Sequence, residues 1–147
     1  MTPARELFPA LRAINQGHIP MTNERTPTSL HGSCHCGAVQ LTLPTAPETA
    51  TSCNCSQCRR SGSLWVYFPL GAVAIKGHPE NTDGYIWGDK TLRTIRCRNC
   101  GIVTHWEPVD AVPGTRHGVN LRNFEPTLQE SVRVRRFDGA DSWTFLD

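Results

Sequence analysis

Short apolar runs alternate with turn residues along most of the chain, from His31 onward. β-branched and aromatic residues dominate the runs, Gly and Pro separate them, and they recur about every ten residues, a spacing typical of antiparallel sheet. The segment 123–130 contains a proline and is too short for more than one helical turn. Strands are therefore predicted at residues 38–43, 64–69, 73–76, 84–87, 92–96, 103–106, 117–121 and 132–136.

The first 30 residues have a different character. They are polar and interrupted by prolines, and their one helix signal is at residues 9–15, where Pro9 would occupy the first turn. We therefore expect a short helical or irregular extension at residues 1–30 and a single mainly-β domain at residues 31–147. The extension lacks the long apolar segment of a secretion signal, and every apolar run is too short to cross a bilayer, so a cytoplasmic protein is expected.

Composition and charge add little to this picture. The 147 residues suit one domain, and 38% hydrophobic with 19% charged residues allow a modest core. The net charge of +2 gives no reason to expect a nucleic-acid partner. All 15 basic residues except Lys76 and Lys90 are arginine. Arginine binds carboxylates and phosphates through paired hydrogen bonds, although a GC-rich genome would produce the same bias.

The distinctive chemistry of this chain is in its cysteines. There are seven, an odd number that cannot all pair as disulfides, and they form three tight motifs: Cys34-x-Cys36, Cys53-x-Cys55-x-x-Cys58 and Cys97-x-x-Cys100. In a reducing compartment such clusters are metal ligands or redox centres rather than a disulfide framework. The spacing fits no common iron–sulfur run, and zinc is the metal that it predicts.

The two outer motifs can together form a closed zinc site. Zinc takes four ligands in a tetrahedron, and thiolates one or two residues apart can reach the same ion from one tight turn. Gly37 and Gly101 follow the last thiolate of each motif, where a left-handed backbone would let the glycine amide point at a sulfur. A structural site is therefore predicted, with the ligands Cys34, Cys36, Cys97 and Cys100.

The middle motif supplies three thiolates from a single predicted loop. Three ligands on one side of an ion leave the opposite side open, which is the arrangement of a catalytic zinc. Alternatives stay open: Cys34 and Cys36 could share an ion with two middle cysteines, a carboxylate or a histidine such as His35 or His105 could complete a second structural site, or the three thiols could be free. The predicted catalytic group is Cys53, Cys55 and Cys58.

Four stretches carry a resemblance to a known family. Residues 32–37 read Gly-Ser-Cys-His-Cys-Gly, residues 53–62 read Cys-Asn-Cys-Ser-Gln-Cys-Arg-Arg-Ser-Gly, residues 96–101 read Arg-Cys-Arg-Asn-Cys-Gly, and residues 118–122 read Gly-Val-Asn-Leu-Arg. In order and spacing they resemble the glutathione-dependent formaldehyde-activating enzyme (GFA) family, which also includes centromere protein V. The resemblance spans about residues 30–126 and includes all seven cysteines.

This resemblance implies a β-tent fold of zinc-stapled antiparallel sheets. It also implies two zinc ions per chain, a structural one held by the outer motifs and a catalytic one held by the middle motif. The family's named reaction joins glutathione to formaldehyde and gives S-(hydroxymethyl)glutathione. The expected function is therefore that of a carbon–sulfur lyase acting on glutathione or another small-molecule thiol, whose proton zinc coordination would remove.

Side chains near the motifs are candidates for substrate contacts. Glutathione has two carboxylates, and the cations predicted to bind them bidentately are Arg59, Arg60 and Arg122. Alternatively these arginines offset the thiolate charge, which is the interpretation favoured for Arg98. Trp65 would line the open zinc position, although core packing suits most aromatic residues of its strand. His35 and His105 are candidate general acids for the nascent alkoxide.

A second function class stays open, namely a zinc-stapled module that binds chromatin or a protein partner without catalysis. Centromere protein V suggests it, and a long basic extension would favour it, but the basic residues of the first 30 positions are only Arg5, Arg12 and Arg25. A methionine sulfoxide reductase with a related fold would need a lone reactive cysteine, and no cysteine here stands alone. The lyase ranks first. No membrane partner is expected, and a homo-oligomer stays open.

Overall fold

The computed structural model describes residues 30–147, so the helix predicted at residues 9–15 and the other residues of the extension up to residue 29 lie outside the described residues. The strands of a smaller sheet are β1 (His31–Ser33), β2 (Gln40–Thr42) and β5 (Ala74–Lys76). Those of a larger sheet are β3 (Thr49–Cys53), β4 (Trp65–Pro69), β6 (Thr82–Ile86), β7 (Leu92–Cys97), β8 (Val103–Pro108), β9 (Arg116–Asn120) and β10 (Arg133–Phe137). The helices are α1 (Ser56–Ser61) and α2 (Pro126–Glu130), and a 3-10 turn covers Leu121–Asn123.

The prediction of a mainly-β fold is confirmed, and each predicted run coincides with a strand. The smaller sheet has the order β1-β2-β5, and the larger one has the order β10-β3-β4-β9-β8-β7-β6. One pair departs from the antiparallel prediction, because β10 runs parallel to β3 with Arg133 opposite Thr49. A long connection separates these two strands, and parallel pairing requires such a crossover. Neither helix in the described part of the chain is long and apolar enough to cross a membrane.

Helix α1 replaces part of the loop that was predicted for the middle cysteine motif. Cys55 caps the helix, because its sulfur accepts a hydrogen bond from the backbone N–H of Cys58, and Gly62 ends it in the left-handed region at φ 65°. The sequence gives no apolar periodicity for so short a helix. Its start is set by the cysteine cap instead.

The two faces of the larger sheet have different environments. One face packs against the smaller sheet, and the core between them includes Leu41 of β2, Val66 of β4 and Val119 of β9, all fully buried. Because side chains alternate along a strand, Trp65 and Tyr67 lie on the opposite face. This opposite face carries the candidate site.

Candidate metal centres

Four thiols converge where the turn between β1 and β2 meets the turn between β7 and β8. Their sulfur atoms all lie within 4.8 Å of one another, and they belong to Cys34, Cys36, Cys97 and Cys100. The sulfur of Cys36 lies 3.6 Å from that of Cys34 and 3.6 Å from that of Cys97. Ligands of a tetrahedral zinc with its usual thiolate bond length lie about 3.8 Å apart. The four-thiol group therefore fits a zinc ion without rearrangement of the backbone.

Two glycines shape the turns of this group. Gly37 and Gly101 have φ values of 80° and 76°, as predicted for ligand turns. The prediction that their amides point at sulfur is wrong, because the amide of Gly37 donates to the Cys34 carbonyl and that of Gly101 donates to the Cys97 carbonyl. The backbone N–H of Val39 reaches the Cys34 sulfur instead, at 3.3 Å.

The thiols of this group ionise unequally. A hydrogen bond from the Asn99 side chain is the main cause that lowers the pKa of Cys36 to about 6, whereas burial raises the pKa of Cys34 to about 11. One exposed thiolate and one buried thiol therefore stand side by side. A cation would stabilise all four as thiolates.

The three remaining thiols form a second group. Cys53 ends β3, Cys55 caps α1, and Cys58 lies one helical turn further on, so that their sulfur atoms lie within 4.8 Å of one another. Among the described residues, no other Cys, His, Asp or Glu completes this group as a fourth ligand. The alternative in which Cys34 and Cys36 share an ion with middle cysteines is wrong, since they group with the Cys97 motif.

Each sulfur of the three-thiol group accepts a hydrogen bond from nitrogen. The backbone N–H of Cys55 donates to Cys53, that of Cys58 donates to Cys55, and the indole N–H of Trp65 donates to Cys58 at 3.2 Å. Burial raises the pKa of Cys53 and of Cys58. Burial also opposes ionisation of Cys55, but hydrogen bonds from Cys58 lower its pKa overall. The donors prepare the group to carry negative charge.

Aromatic rings adjoin this group on the same face of the larger sheet. Trp65 pairs with Thr51 across the β3–β4 ladder, and Cys53 follows Thr51 by two residues on the same face. Tyr67 and Trp106 both pair with Gly118, and their ring centroids lie 6.2 Å apart. A β-carbon on Gly118 would collide with the Trp106 indole. The two rings therefore meet above a glycine.

Tyr67 lies close enough to the three-thiol group to sense its charge. Burial is the main cause that raises the pKa of Tyr67. A hydrogen bond with Thr51 and the charge of Arg116 lower this pKa, and Cys53 and Cys58 raise it. The guanidinium of Arg116 lies 4.6 Å from the centroid of the Tyr67 ring. Tyr67 is consequently a protonated hydrogen-bond donor at neutral pH, beside the thiols.

The C-terminal segment covers another side of the group. The Asn54 side chain donates to Asp138 at 2.8 Å and accepts from the backbone N–H of Ala140 at 2.9 Å. This amide is the largest cause that lowers the pKa of Asp138 to about 2. A β-carbon on Gly139 would lie 2.5 Å from the Cys53 sulfur, so only glycine fits there.

The predicted arginines occupy different places. Arg59 and Arg60 are exposed in the last turn of α1, and Arg60 donates to the Ser56 carbonyl. Arg122 donates to the Gly62 carbonyl and to the Gln129 side chain, and it lines a cleft of about 350 Å³. Ser61, at the end of the cysteine-bearing helix, lines the same cleft.

The two candidate histidines are not part of the three-thiol group. His35 is exposed and lines the cleft beside Arg122. His105 is fully buried on the core face, opposite the face that carries its neighbour Trp106, and burial lowers its pKa to about 3. The prediction of His105 as a candidate general acid for the three-thiol group is wrong, because His105 lies on the opposite face of the sheet and stays neutral.

Arg116 and the C-terminal segment at Gly139 were missed by sequence reasoning as parts of this surface. Alternation along the strand placed Tyr67 on the same face as Trp65, but core packing was the role favoured for most aromatic residues of this strand. Arg116 and Gly139 had no comparable signal, because their positions depend on the pairing of β9 with β4 and of β10 with β3.

The chain is similar to known proteins in sequence and in fold. The sequence model of the family described as "Glutathione-dependent formaldehyde-activating enzyme" matches residues 29–132. A crystal structure of a Rhodobacter sphaeroides protein is 32% identical and aligns over 71% of this chain and 98% of its own, with a TM-score of 0.57. No curated protein matches the chain.

Proposed function

Because the chain belongs to the glutathione-dependent formaldehyde-activating enzyme family, we propose that it is a zinc-dependent carbon–sulfur lyase of the S-(hydroxymethyl)glutathione synthase type. The observation that carries this proposal is the three-thiol group, which no further Cys, His, Asp or Glu among the described residues completes. A closed site of four protein ligands would serve structure alone, whereas three leave a position for a substrate thiol. The catalytic unit is the domain at residues 31–147, and reduced thiols suit the cytoplasm.

Two zinc ions per chain are proposed, and the donor sets fit them. The structural ion is held by the four-thiol group of Cys34, Cys36, Cys97 and Cys100, and the catalytic ion by the three-thiol group of Cys53, Cys55 and Cys58. When bound to the three-thiol group, zinc lowers the pKa of an incoming thiol and favours its thiolate. The N–H donors of Cys55, Cys58 and Trp65 share the negative charge of the protein sulfurs.

The reaction forms one carbon–sulfur bond. The glutathione thiol gives up its proton, its sulfur bonds to the carbonyl carbon of formaldehyde, and the π electron pair moves to oxygen. That oxygen takes up a proton to give the hydroxymethyl product, and the reverse direction breaks the same bond. Tyr67, a protonated donor beside the thiols, hydrogen-bonds the oxygen as its charge develops. The half-buried rings of Tyr67 and Trp106 limit the access of water.

Arginines bind the carboxylates of glutathione in this proposal. Arg122 lines the cleft beside the end of α1, and Arg59 and Arg60 lie in the last turn of the same helix. Hydrogen bonds to the Gly62 carbonyl and to the Gln129 side chain orient the guanidinium of Arg122. Three guanidinium groups around two carboxylates give the bidentate pairing that arginine favours.

The proposal is tested by exchange NMR with carbon-13 formaldehyde and glutathione, with the uncatalysed addition subtracted. Zinc-loaded wild-type protein should accelerate interconversion of the free and adduct forms. Cys55→Ser should return the rate to the uncatalysed value while the circular dichroism spectrum stays native, because the four-thiol group is intact. Ser56→Ala, at the exposed neighbouring position, is the control and should retain the rate. A wild-type protein without acceleration, or a fully active Cys55→Ser variant, contradicts the proposal.

A further inference from the structure

A third cluster of ligand-type side chains lies on the core face of the larger sheet. It contains His78, from the connection between β5 and β6, together with His105 and Glu107 of β8. One ring nitrogen of each histidine and one carboxylate oxygen all lie within 4.8 Å of one another. The proposed lyase does not use any of these residues.

The hydrogen bonds of His105 show which nitrogen carries its proton. The hydroxyl of Thr104 donates to the Ile95 carbonyl, so its oxygen accepts from Nδ1–H of His105 at 3.0 Å. Nε2 of the neutral ring is then unprotonated and carries a free lone pair. It is fully buried and has no hydrogen-bond partner. Such a group is costly to bury unless something binds it.

His78 repeats this arrangement. The hydroxyl of Thr82 donates to the Pro79 carbonyl and accepts from Nδ1–H of His78 at 2.7 Å. Nε2 of His78 therefore also presents a lone pair when the ring is neutral. It lies 3.3 Å from Oε2 of Glu107, which is another acceptor.

The carboxylate of Glu107 is oriented by its other oxygen. Nε of Arg93 donates to Oε1 of Glu107 at 2.7 Å, and this leaves Oε2 for the histidines. The three ligand atoms thus lie close together, and each ligand is fixed from behind by a hydrogen bond. That outer arrangement, with Nδ1–H bonded to a hydroxyl, is the one that orients metal-binding histidines.

We propose that His78, His105 and Glu107 bind a divalent transition-metal ion. Two imidazoles and one carboxylate are a donor set for zinc and its neighbours, and the ion would satisfy the buried lone pair of His105. It would also tie the connection between β5 and β6, which links the two sheets, to β8. Nε2 of His117, on the adjacent strand β9, is likewise buried without a partner and lies on the same face as His105.

The test titrates Zn²⁺ into protein whose thiol groups are already zinc-loaded, with long-range proton–nitrogen NMR of the histidine rings as the readout. One further equivalent should shift Nε2 of His78 and of His105 while both Nδ1 atoms stay protonated. His78→Gln and Glu107→Gln should each abolish this saturable response. His31→Gln, the same change on β1, is the control and should leave it intact.

Thr82→Val keeps all three ligands and removes the hydroxyl that supports His78 and donates to the Pro79 carbonyl. It should weaken binding of the added ion about 10–100-fold, as loss of such support does at other sites. Two results overturn the proposal: no shift of the His78 and His105 nitrogens on addition of Zn²⁺, or binding that persists unchanged in both ligand variants. If Nε2 of His78 carries a proton that Zn²⁺ does not displace, the ion does not bind and no nitrogen shift is seen.

Discussion

Two hydrogen-bond donors from one strand lie beside the three-thiol group. Trp65 and Tyr67 are two residues apart on β4, so the alternation of the strand turns both towards the thiols. Trp65 donates to the Cys58 sulfur, whereas the hydroxyl of Tyr67 stays protonated because burial raises its pKa. One donor therefore serves the protein ligands, and in the proposed reaction the other would serve a substrate oxygen.

Tyr67→Phe tests this division of roles. The variant keeps the ring that packs against Trp106 and removes the hydroxyl alone, so the rate of adduct formation should fall about 100-fold, as for loss of one donor to a developing oxyanion. The measurement is the exchange rate at saturating glutathione. Tyr85→Phe, at an exposed tyrosine of β6, should keep the wild-type rate. Equal rates in both variants would show that Tyr67 only packs.

Among individual residues, the sequence predicted those groupings that follow from the spacing of residues along the chain. Cysteine spacing gave the same two groups that the structure brings together, and it gave the glycines that follow them. It could not separate His105 from the thiols, because neighbouring residues of a strand face opposite ways and the direction of β8 depends on its partners. The catalytic and metal-binding roles stay predictions.

Strand β8 contributes side chains to two proposed sites, one on each face of the larger sheet. His105 and Glu107 point to the core face, where His105 pairs with Val119 and Ile95, while Trp106 points to the face of the thiols. Gly118 of β9, which has no side chain, leaves space for the Trp106 indole beside the Tyr67 ring of β4. The register of β4, β9 and β8 thus builds the wall of the proposed active site.

Gly118→Ala tests that register. The added methyl group must displace the Trp106 indole in a packed sheet, and we expect the free energy of unfolding to fall by about 1–3 kcal/mol. Urea denaturation at a fixed zinc concentration measures it. Gly84→Ala is the control, because its methyl group would lie 3.3 Å from Cδ of Arg93 and 3.4 Å from Cδ1 of Ile95, which are much longer contacts. A Gly118→Ala variant as stable as the control would contradict the close packing of the indole.

The elements themselves were predicted where apolar residues alternate. Strands β1 and β3 were missed because His31–Ser33 and Thr49–Cys53 have few apolar side chains. Strand β3 is also completed by β10, which is distant in sequence. The parallel pairing of β10 with β3 had no local signal for the same reason. Tertiary contacts decide such strands, since β propensity is weak outside its context.

For the whole molecule, the proposed function assigns structure to one thiol group and chemistry to the other. The four-thiol group links the turn of the smaller sheet to that of the larger one, next to a core that both sheets share. The three-thiol group lies on the opposite face, between α1, the aromatic rings and the C-terminal segment. The metal site proposed at His78, His105 and Glu107 would be a further link between the sheets, and it is independent of the lyase proposal.

Cadmium-113 NMR of the cadmium-substituted protein tests the central claim most directly, because the cadmium shift reports the number of sulfur ligands. The account predicts two thiolate-rich signals, one from four sulfurs and one from three. Glutathione should move the second signal to the four-sulfur position and leave the first unchanged, and Cys55→Ser should remove the second signal alone. A second signal that does not respond to glutathione, or two signals that persist in Cys55→Ser, would contradict an ion held by three cysteines with a position open to a thiol.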